Sequence, residues 1–394
     1  MKKVVLAYSG GLDTSYCIKF LSEKGFEVEA LTINTGGFSK KEILELKNKA
    51  IHLGAKKFKL IDAVNTFYLK IIKFLIFGNV LKNNTYPLSV SAERIVQALE
   101  IINYAKTAKA NYVAHGSTGA GNDQVRFDLI FQILAPKINI ITPIRDNKIS
   151  RKDEVEFLKS KGIKINWEKS QYSINKGIWG TSIGGKETLT SNQALPEKAY
   201  PSKLKDERSK KINIEFYKGE LISINGKKDS PINIIKSLQK ISERFAIGRD
   251  IHVGDTIVGI KGRVAFEAAA PIIIIKAHQL LEKHTLTKWQ QFQKVQLSDF
   301  YGMLLHEGQY LDPVMRNIES YLKNSQKNVS GKVFITLNPY RFELEGVESK
   351  NDLMYNSHGT YGETNKGWSA DDAKGFIKIT SNPIKIYNQK IEKK

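Results

Sequence analysis

Two hydrophobic rhythms alternate along the N-terminal part of the chain. "KKVVLAY" (residues 2–8) is a continuous apolar run of strand length, and residues 12–23 carry the three-to-four spacing of a helix closed by Gly25. "FEVEALTI" predicts a second strand, followed by a helix over residues 39–53 that Ser39 caps and Gly54 ends. "KFKLI" predicts a third strand, and helical patterns follow over residues 64–76 and 92–109. "NYVAHG" and "INIIT" are further strands, with a helix over residues 122–134 between them. Ser150 and Asp153 stand at capping-box spacing and open one more helix, residues 150–161. Strands alternating with helices in this way predict an α/β, doubly wound parallel sheet covered on both faces. Ligands of such sheets bind beyond the carboxyl ends of the strands.

After Gly162 the rhythm changes. "INIEFYKGELISING" reads as a hairpin about Gly219, and "DTIVGIKGRVAFEAA" is strand-rich. A long helical region over residues 272–305 and a hairpin over 333–344 follow. The expectation is a nucleotide-binding domain over residues 1–165 and an α+β domain with a C-terminal helical segment over 166–394. No internal repeat is visible, and the one patternless tract is the final "QKIEKK". A length of 394 residues suits two or three domains.

Composition narrows the compartment and the partners. The single cysteine, Cys17, excludes an internal disulfide and a Cys-rich metal site, which fits a cytoplasmic protein. The apolar stretch behind Lys2 and Lys3 is too short for a secretory signal, and "PIIII" is too short to cross a membrane. A net charge of +21 would suit a polyanion, but the lysines are spread along the chain with no arginine-rich arm or aromatic-interleaved stripe. No nucleic-acid or membrane partner is expected.

Candidate chemistry begins at "SGGLDTS", residues 9–15. A strand, a glycine-rich turn and a helix start aim several backbone N–H groups at one anion. Gly10 and Gly11 permit close approach, while Ser9, Thr14 and Ser15 add hydroxyls. Asp13 implies either a cation beside phosphate or a helix cap. No Gly-Lys-Ser/Thr follows, so this is not a Walker A loop. It resembles the pyrophosphatase loop of N-type ATP pyrophosphatases, which split ATP between the α and β phosphates.

"HGSTGAGNDQVRFD", residues 115–128, is a second glycine-rich strand end opening a helix, with Asn122, Asp123 and Arg126 converging there. "AYSGGLDTS", "HGSTGAGNDQVRF", "YSINKGIWGTSIGG" and "GFIKI" resemble the argininosuccinate synthase family in order and spacing across nearly the whole chain. That resemblance implies condensation of citrulline with aspartate through a citrulline-adenylate, using ATP and Mg2+ in a homotetramer. It implies that Ala7, Tyr8, Ser9, Gly10, Gly11, Leu12, Asp13, Thr14 and Ser15 cradle ATP, with Ile33 near adenine and Gly116 adding backbone. It implies Thr118, Asn122 and Asp123 for aspartate. For citrulline it implies Tyr86, Ser91, Asn122, Arg126, Ser173 and Ser182. Asp13, Asn122 and Arg126 carry the catalytic expectation. No protein metal site is expected beyond Mg2+ brought by ATP near Asp13.

Several positions depart from the family's usual residues. Gly184 and Gly254 stand where glutamates are usual, Phe266 where a tyrosine is, Ala120 where a lysine is and Gly37 where a glutamine is. The resemblance places the first three around the α-amine of citrulline. A buried ammonium needs acceptors. Two readings follow. Asp255, Glu187 or Glu267 substitutes, or the substrate is an N-acylated citrulline, with Lys186 as partner for an acyl carboxylate. A tRNA-modifying pyrophosphatase-loop enzyme and a nonenzymatic nucleotide-binding regulator are the rivals from other classes.

Overall fold

Five parallel strands organise the N-terminal half in a computed structural model, which describes residues 2–163, 172–363 and 365–391. They are β1 (Lys3–Ala7), β2 (Glu27–Asn34), β3 (Lys57–Asp62), β4 (Tyr112–Ala114) and β5 (Asn139–Ile141), in spatial order β3-β2-β1-β4-β5. The order reverses between β1 and β4, so a crevice opens at their carboxyl ends. Alternation along β1 feeds two cores. Val4 and Leu6 pack with Cys17, Ile18 and Leu21 of α1 (Leu12–Glu23), while Val5 faces the other side.

The caps read from sequence are present. Ser39 and Glu42 form a capping box on α2 (Lys40–His52). The predicted 64–76 helix is α3 (Val64–Phe67), a π turn (Tyr68–Ile72) and α4 (Lys73–Gly78). The helix expected from residue 92 starts earlier, as α5 (Ser89–Thr107), because Leu88 takes a left-handed turn with φ 60° just before it. α6 (Asp123–Leu134), α7 (Pro143–Asp146) and α8 (Arg151–Ser160), the last boxed by Ser150 and Asp153, complete this half.

The second half builds two antiparallel sheets. β6 (Ser173–Gly177) and β7 (Gly180–Gly184) join β11 (Arg249–Asp255) and β12 (Lys261–Glu267) in the order β11-β12-β7-β6. β8 (Lys210–Tyr217), β9 (Glu220–Ile224), β10 (Lys227–Lys228), β13 (Gly331–Asn338) and β14 (Arg341–Glu348) form the other, with the predicted turn at Gly219. α9 (Pro231–Ser242) and α10 (Ala269–Thr285) pack on that sheet.

The long helix expected over 272–305 is two helices. Leu286 is extended, and Thr287 caps α11 (Lys288–His306) with Gln290, so a local box overrides the continuing apolar pattern. α12 (Pro313–Ser325) follows, and α4 and α5 pack against this helical region. The largest core is therefore shared by both halves. α13 (Ala370–Thr380) and α14 (Asn382–Ile391) end the described chain with no buried residue. The terminal tract read as patternless thus contributes residues 389–391 to α14, while 392–394 lie outside the described residues.

Candidate active site

The turn after β1 is held from behind. Gly10 has φ +79°, and a Cβ there would run into Leu46 of α2. Lys49 of the same helix donates to the Gly10 carbonyl at 2.6 Å. Burial lowers the Lys49 pKa, so α2 sets a partly desolvated cation under the turn. The Ser9 and Thr14 hydroxyls lie 3.3 Å apart at the mouth. Ser15 is buried behind the turn, and its hydroxyl donates to the Gly11 carbonyl at 2.6 Å. Gly116, after β4, rests on Asp13, where a Cβ would come within 3.2 Å of the Asp13 carbonyl carbon.

Asp13 is backed by Glu154 of α8. Glu154 is 2% exposed, and one of its carboxyl oxygens has no partner. Burial first, then the adjacent Asp13 charge and hydrogen bond, push its pKa up to about 8. At neutral pH Glu154 is a proton donor held against Asp13. Asp13, which lines the cleft beside the turn, offers the hard carboxylate oxygen that Mg2+ takes along with phosphate and water. Among the described residues no group of three or more His, Cys, Asp or Glu is arranged to hold a metal by itself.

At the start of α6 the three convergent side chains have distinct partners. Asp123 accepts from Arg94 Nε at 2.8 Å and from Arg126 Nη1 at 2.9 Å. Burial alone would raise the Asp123 pKa, but the two guanidiniums outweigh it and hold the carboxylate below its ordinary range. Arg126 also donates to the His306 carbonyl at 2.9 Å, while its Nη2 is buried without a partner. The Asn122 side chain accepts from the Ile257 N–H at 2.8 Å, which ties α6 to the β11–β12 turn.

The far wall carries a ring of hydroxyls. Tyr86 Oη lies 3.0 Å from Ser182 Oγ and 3.2 Å from Ser89 Oγ. The β6–β7 hairpin brings Ser182 there because Trp179, at its tip, is fully buried and donates to the Pro87 carbonyl at 3.0 Å. His252 stacks on Tyr86 at 5.3 Å, with Phe266 at 5.4 Å from the same ring.

One cleft of about 1010 Å3 contains this arrangement. Ala7, Tyr8, Ser9, Gly10, Gly11, Leu12, Asp13, Thr14, Ile33 and Gly116 line it together with Tyr86, Ser91, Thr118, Asn122, Asp123, Arg126, Ser173 and Ser182. Ser15, set back from the surface, is the one expected site residue that does not.

The substituted positions divide. Gly37, Gly184 and Gly254 line the cleft, whereas Phe266 and Ala120 do not. Of the carboxylates expected to stand in for the missing acids, Glu187 accepts from Tyr172 Oη at 3.1 Å and Glu267 from Arg249 Nε at 3.0 Å, and neither lines the cleft, although Tyr172 does. Asp255 reaches the cleft but is paired with Lys261 at 2.7 Å. Lys186 does not line it either.

Sequence reading missed Lys49, Glu93, Arg94 and His252, all of which line the cleft. The charged pair Glu93–Arg94 inside the otherwise apolar "SAERIVQAL" was the available signal. Glu93 is 2% exposed, and burial pushes its pKa to about 8 despite the neighbouring Arg94 and a bond to Thr35. Cys17 is fully buried with its thiol pKa pushed up by burial, so it is a packing residue rather than a sulfur carrier.

The chain matches two family models, "Arginosuccinate synthase N-terminal HUP domain" over residues 3–164 and "Arginosuccinate synthase C-terminal domain" over residues 172–387. It is similar to proteins named argininosuccinate synthase. That of Dictyoglomus turgidum is 38% identical over 381 residues, covering 96% of this chain and 95% of the relative. That of Methanocaldococcus jannaschii is 36% identical over 337 residues, covering 84% and 85%. That of Sulfurisphaera tokodaii is 35% identical over 380 residues, covering 96% of each.

Proposed function

Since the chain belongs to the argininosuccinate synthase family, we propose that its cleft joins citrulline to aspartate, with ATP cleaved to AMP and pyrophosphate. The observation that carries this reading is the meeting of the pyrophosphatase turn, the α6 start and the β6–β7 hairpin in one cleft at the β1/β4 switch.

The chemistry follows from charge. A ureido oxygen is a poor leaving group until it is adenylated. Its attack on the α-phosphate expels pyrophosphate into the turn formed by Ser9, Gly10, Gly11 and Thr14, where backbone N–H groups and the α1 N-terminus favour the anion. Ile33 borders the adenine and Gly116 the remaining nucleotide. Thr118, Asn122 and Asp123 hold aspartate, its ammonium facing the Asp123 carboxylate, so the amine reaches the ureido carbon after losing a proton. AMP then leaves with the bonding electrons of the C–O bond. Tyr86, Ser91, Asn122, Arg126, Ser173 and Ser182 hold citrulline, and Arg126 has a buried N–H left over for an anion. Positioning accounts for most of the acceleration, since no protein nucleophile is required. Mg2+ on the phosphates, when bound, neutralises charge, and Asp13 backed by Glu154 fits as its protein ligand.

The domain division at residues 165/166, a cytoplasmic location and a homotetramer belong to the same reading. α13 and α14 support association, because Phe376, Ile377, Ile379 and Ile384 are exposed on them.

The test is pyrophosphate release by the purified protein given ATP, Mg2+ and L-citrulline, with argininosuccinate identified by mass once aspartate is added. Absence of pyrophosphate with every ureido amino acid offered, free or N-substituted, overturns the reading.

A further inference from the structure

An α-ammonium taken out of water needs an ionised carboxylate or several acceptors. The citrulline end of the cleft, around Tyr86, Ser182 and His252, supplies few. Among the described residues five acids line the cleft: Asp13, Glu42, Glu93, Asp123 and Asp255. Asp13 belongs to the phosphate turn, and Glu42 caps α2 through the Ser39 N–H at 2.7 Å. Asp123 is paired with two guanidiniums and, in the ligase reading, already faces the amine of aspartate. Glu93 is buried with its carboxyl against Gly177, and burial raises its pKa to about 8. Asp255 is ion-paired and largely exposed.

What stands at that end is uncharged or cationic. A Cβ on Gly254 would meet His252 Nε2 at 2.7 Å, so the imidazole fills the space a longer residue at 254 would need. His252 is 6% exposed, and its Nδ1 is buried without a partner. Burial, then Lys82, lowers its pKa, with Asp250 opposing, so the ring stays neutral at pH 7. His306 is lowered to about 3 by burial, then by Arg126, Lys82 and His252. Arg263 lines the cleft, and its guanidinium donates to the backbone carbonyls of Glu187 at 3.3 Å, Gln193 at 3.2 Å and Thr190. Space is open as well, since a Cβ on Gly184 would have nothing nearer than Ser173 Cβ at 4.0 Å.

Resting on the ligase reading above, we propose that the citrulline selected by this cleft carries an acyl group on its α-nitrogen. Acylation removes the ammonium that the wall cannot pair. It adds an amide oxygen for an imidazole N–H, and the open space at Gly184 admits the acyl chain. The bond changes are unaltered. The ureido oxygen takes the adenylyl group and pyrophosphate leaves, then the aspartate nitrogen bonds the ureido carbon as AMP leaves and a proton is released. The product is an N-acyl-argininosuccinate.

The experiment compares L-citrulline, N-acetyl-L-citrulline and N-succinyl-L-citrulline with ATP, Mg2+ and aspartate on the full-length protein, reading pyrophosphate release and product mass. The expected result is a kcat/KM at least about tenfold higher for one or both acylated forms. A free-citrulline value within tenfold of both acylated forms, or above them, overturns the proposal and leaves the ligase reading standing. No pyrophosphate with any of the three overturns both. In the double variant His252→Met/Gly254→Glu, which clears the imidazole and restores an acid, the acylated-to-free ratio should fall at least about tenfold. An unchanged ratio in a variant that binds ATP with wild-type affinity removes His252 from the argument and overturns the assignment of this wall.

Discussion

Replacing Glu93 by Gln should make the protein more stable above neutral pH, although it removes a charged residue type from the active cleft. Glu93 is 2% exposed, one oxygen has no partner, and its pKa rises from 4.5 to about 8 chiefly through burial. The folded chain therefore keeps a proton that the unfolded chain releases above 4.5. A carboxyl raised in this way makes its best contribution below the unfolded value, and stability falls as pH climbs towards the folded value. At about 1.36 kcal/mol per pH unit, the wild type loses up to about 3 kcal/mol by pH 7 and about 5 kcal/mol by pH 8. Gln is isosteric with the protonated acid, keeps a donor and an acceptor, and has no charge to desolvate. Gly177 leaves the room that either side chain needs, since a Cβ there would collide with the carboxyl. Urea melts of both proteins from pH 5 to 9 give the difference directly. Equal midpoints near pH 5 and a Glu93→Gln advantage that widens to at least about 2 kcal/mol by pH 8 are expected. A constant difference across that range, or a less stable variant at pH 8, would refute the buried neutral carboxyl. Glu154 titrates in the same window but is present in both proteins, so it cancels.

Three other outcomes are expected. Arg94→Met removes the bonds to Asp123 and Asn175 at 2.8 and 2.7 Å, and should lower kcat/KM for aspartate by about a hundredfold with little change in the KM for ATP, measured by initial rates of pyrophosphate release. Gly10→Ala forces a side chain into a left-handed position against Leu46, and should weaken ATP binding at least about tenfold in calorimetry and cost about 1–2 kcal/mol in urea melts. Removing residues 369–391 strips the exposed apolar faces of α13 and α14, and light scattering should then report a smaller assembly with the monomer still folded.

Legibility in the sequence tracks how local each feature is. Ser39 with Glu42 and Ser150 with Asp153 specify helix starts within four residues, and both boxes are present. Thr287 and Gln290 form the same signal, yet the apolar run around them hid the break between α10 and α11. β6 and β7 were not read as strands, because "SINKGIWGTSIG" lacks clean alternation and owes its hairpin to the burial of Trp179 against Pro87. α13 and α14 carry apolar positions such as Phe376, Ile377, Ile379 and Ile384 but bury nothing within the chain, so no packing contact inside it accounts for them.

By itself the sequence determined the alternating α/β order, the two glycine-rich strand ends and the convergence of Asn122, Asp123 and Arg126 at a helix start, while Ser182 entered only through the family resemblance. All but Ser182 rest on periodicity or on spacing within a few residues, which backbone geometry enforces locally. Only the tertiary structure decided which of these groups carry charge and which are already engaged. Arg94 meets Asp123 from a helix 29 residues away, Glu93 is neutral because its surroundings are dry, and His252 stands in the space above Gly254. Desolvation and long-range pairing are properties of the packed chain, so the chemistry of this wall becomes readable only once the β6–β7 hairpin packs on α5.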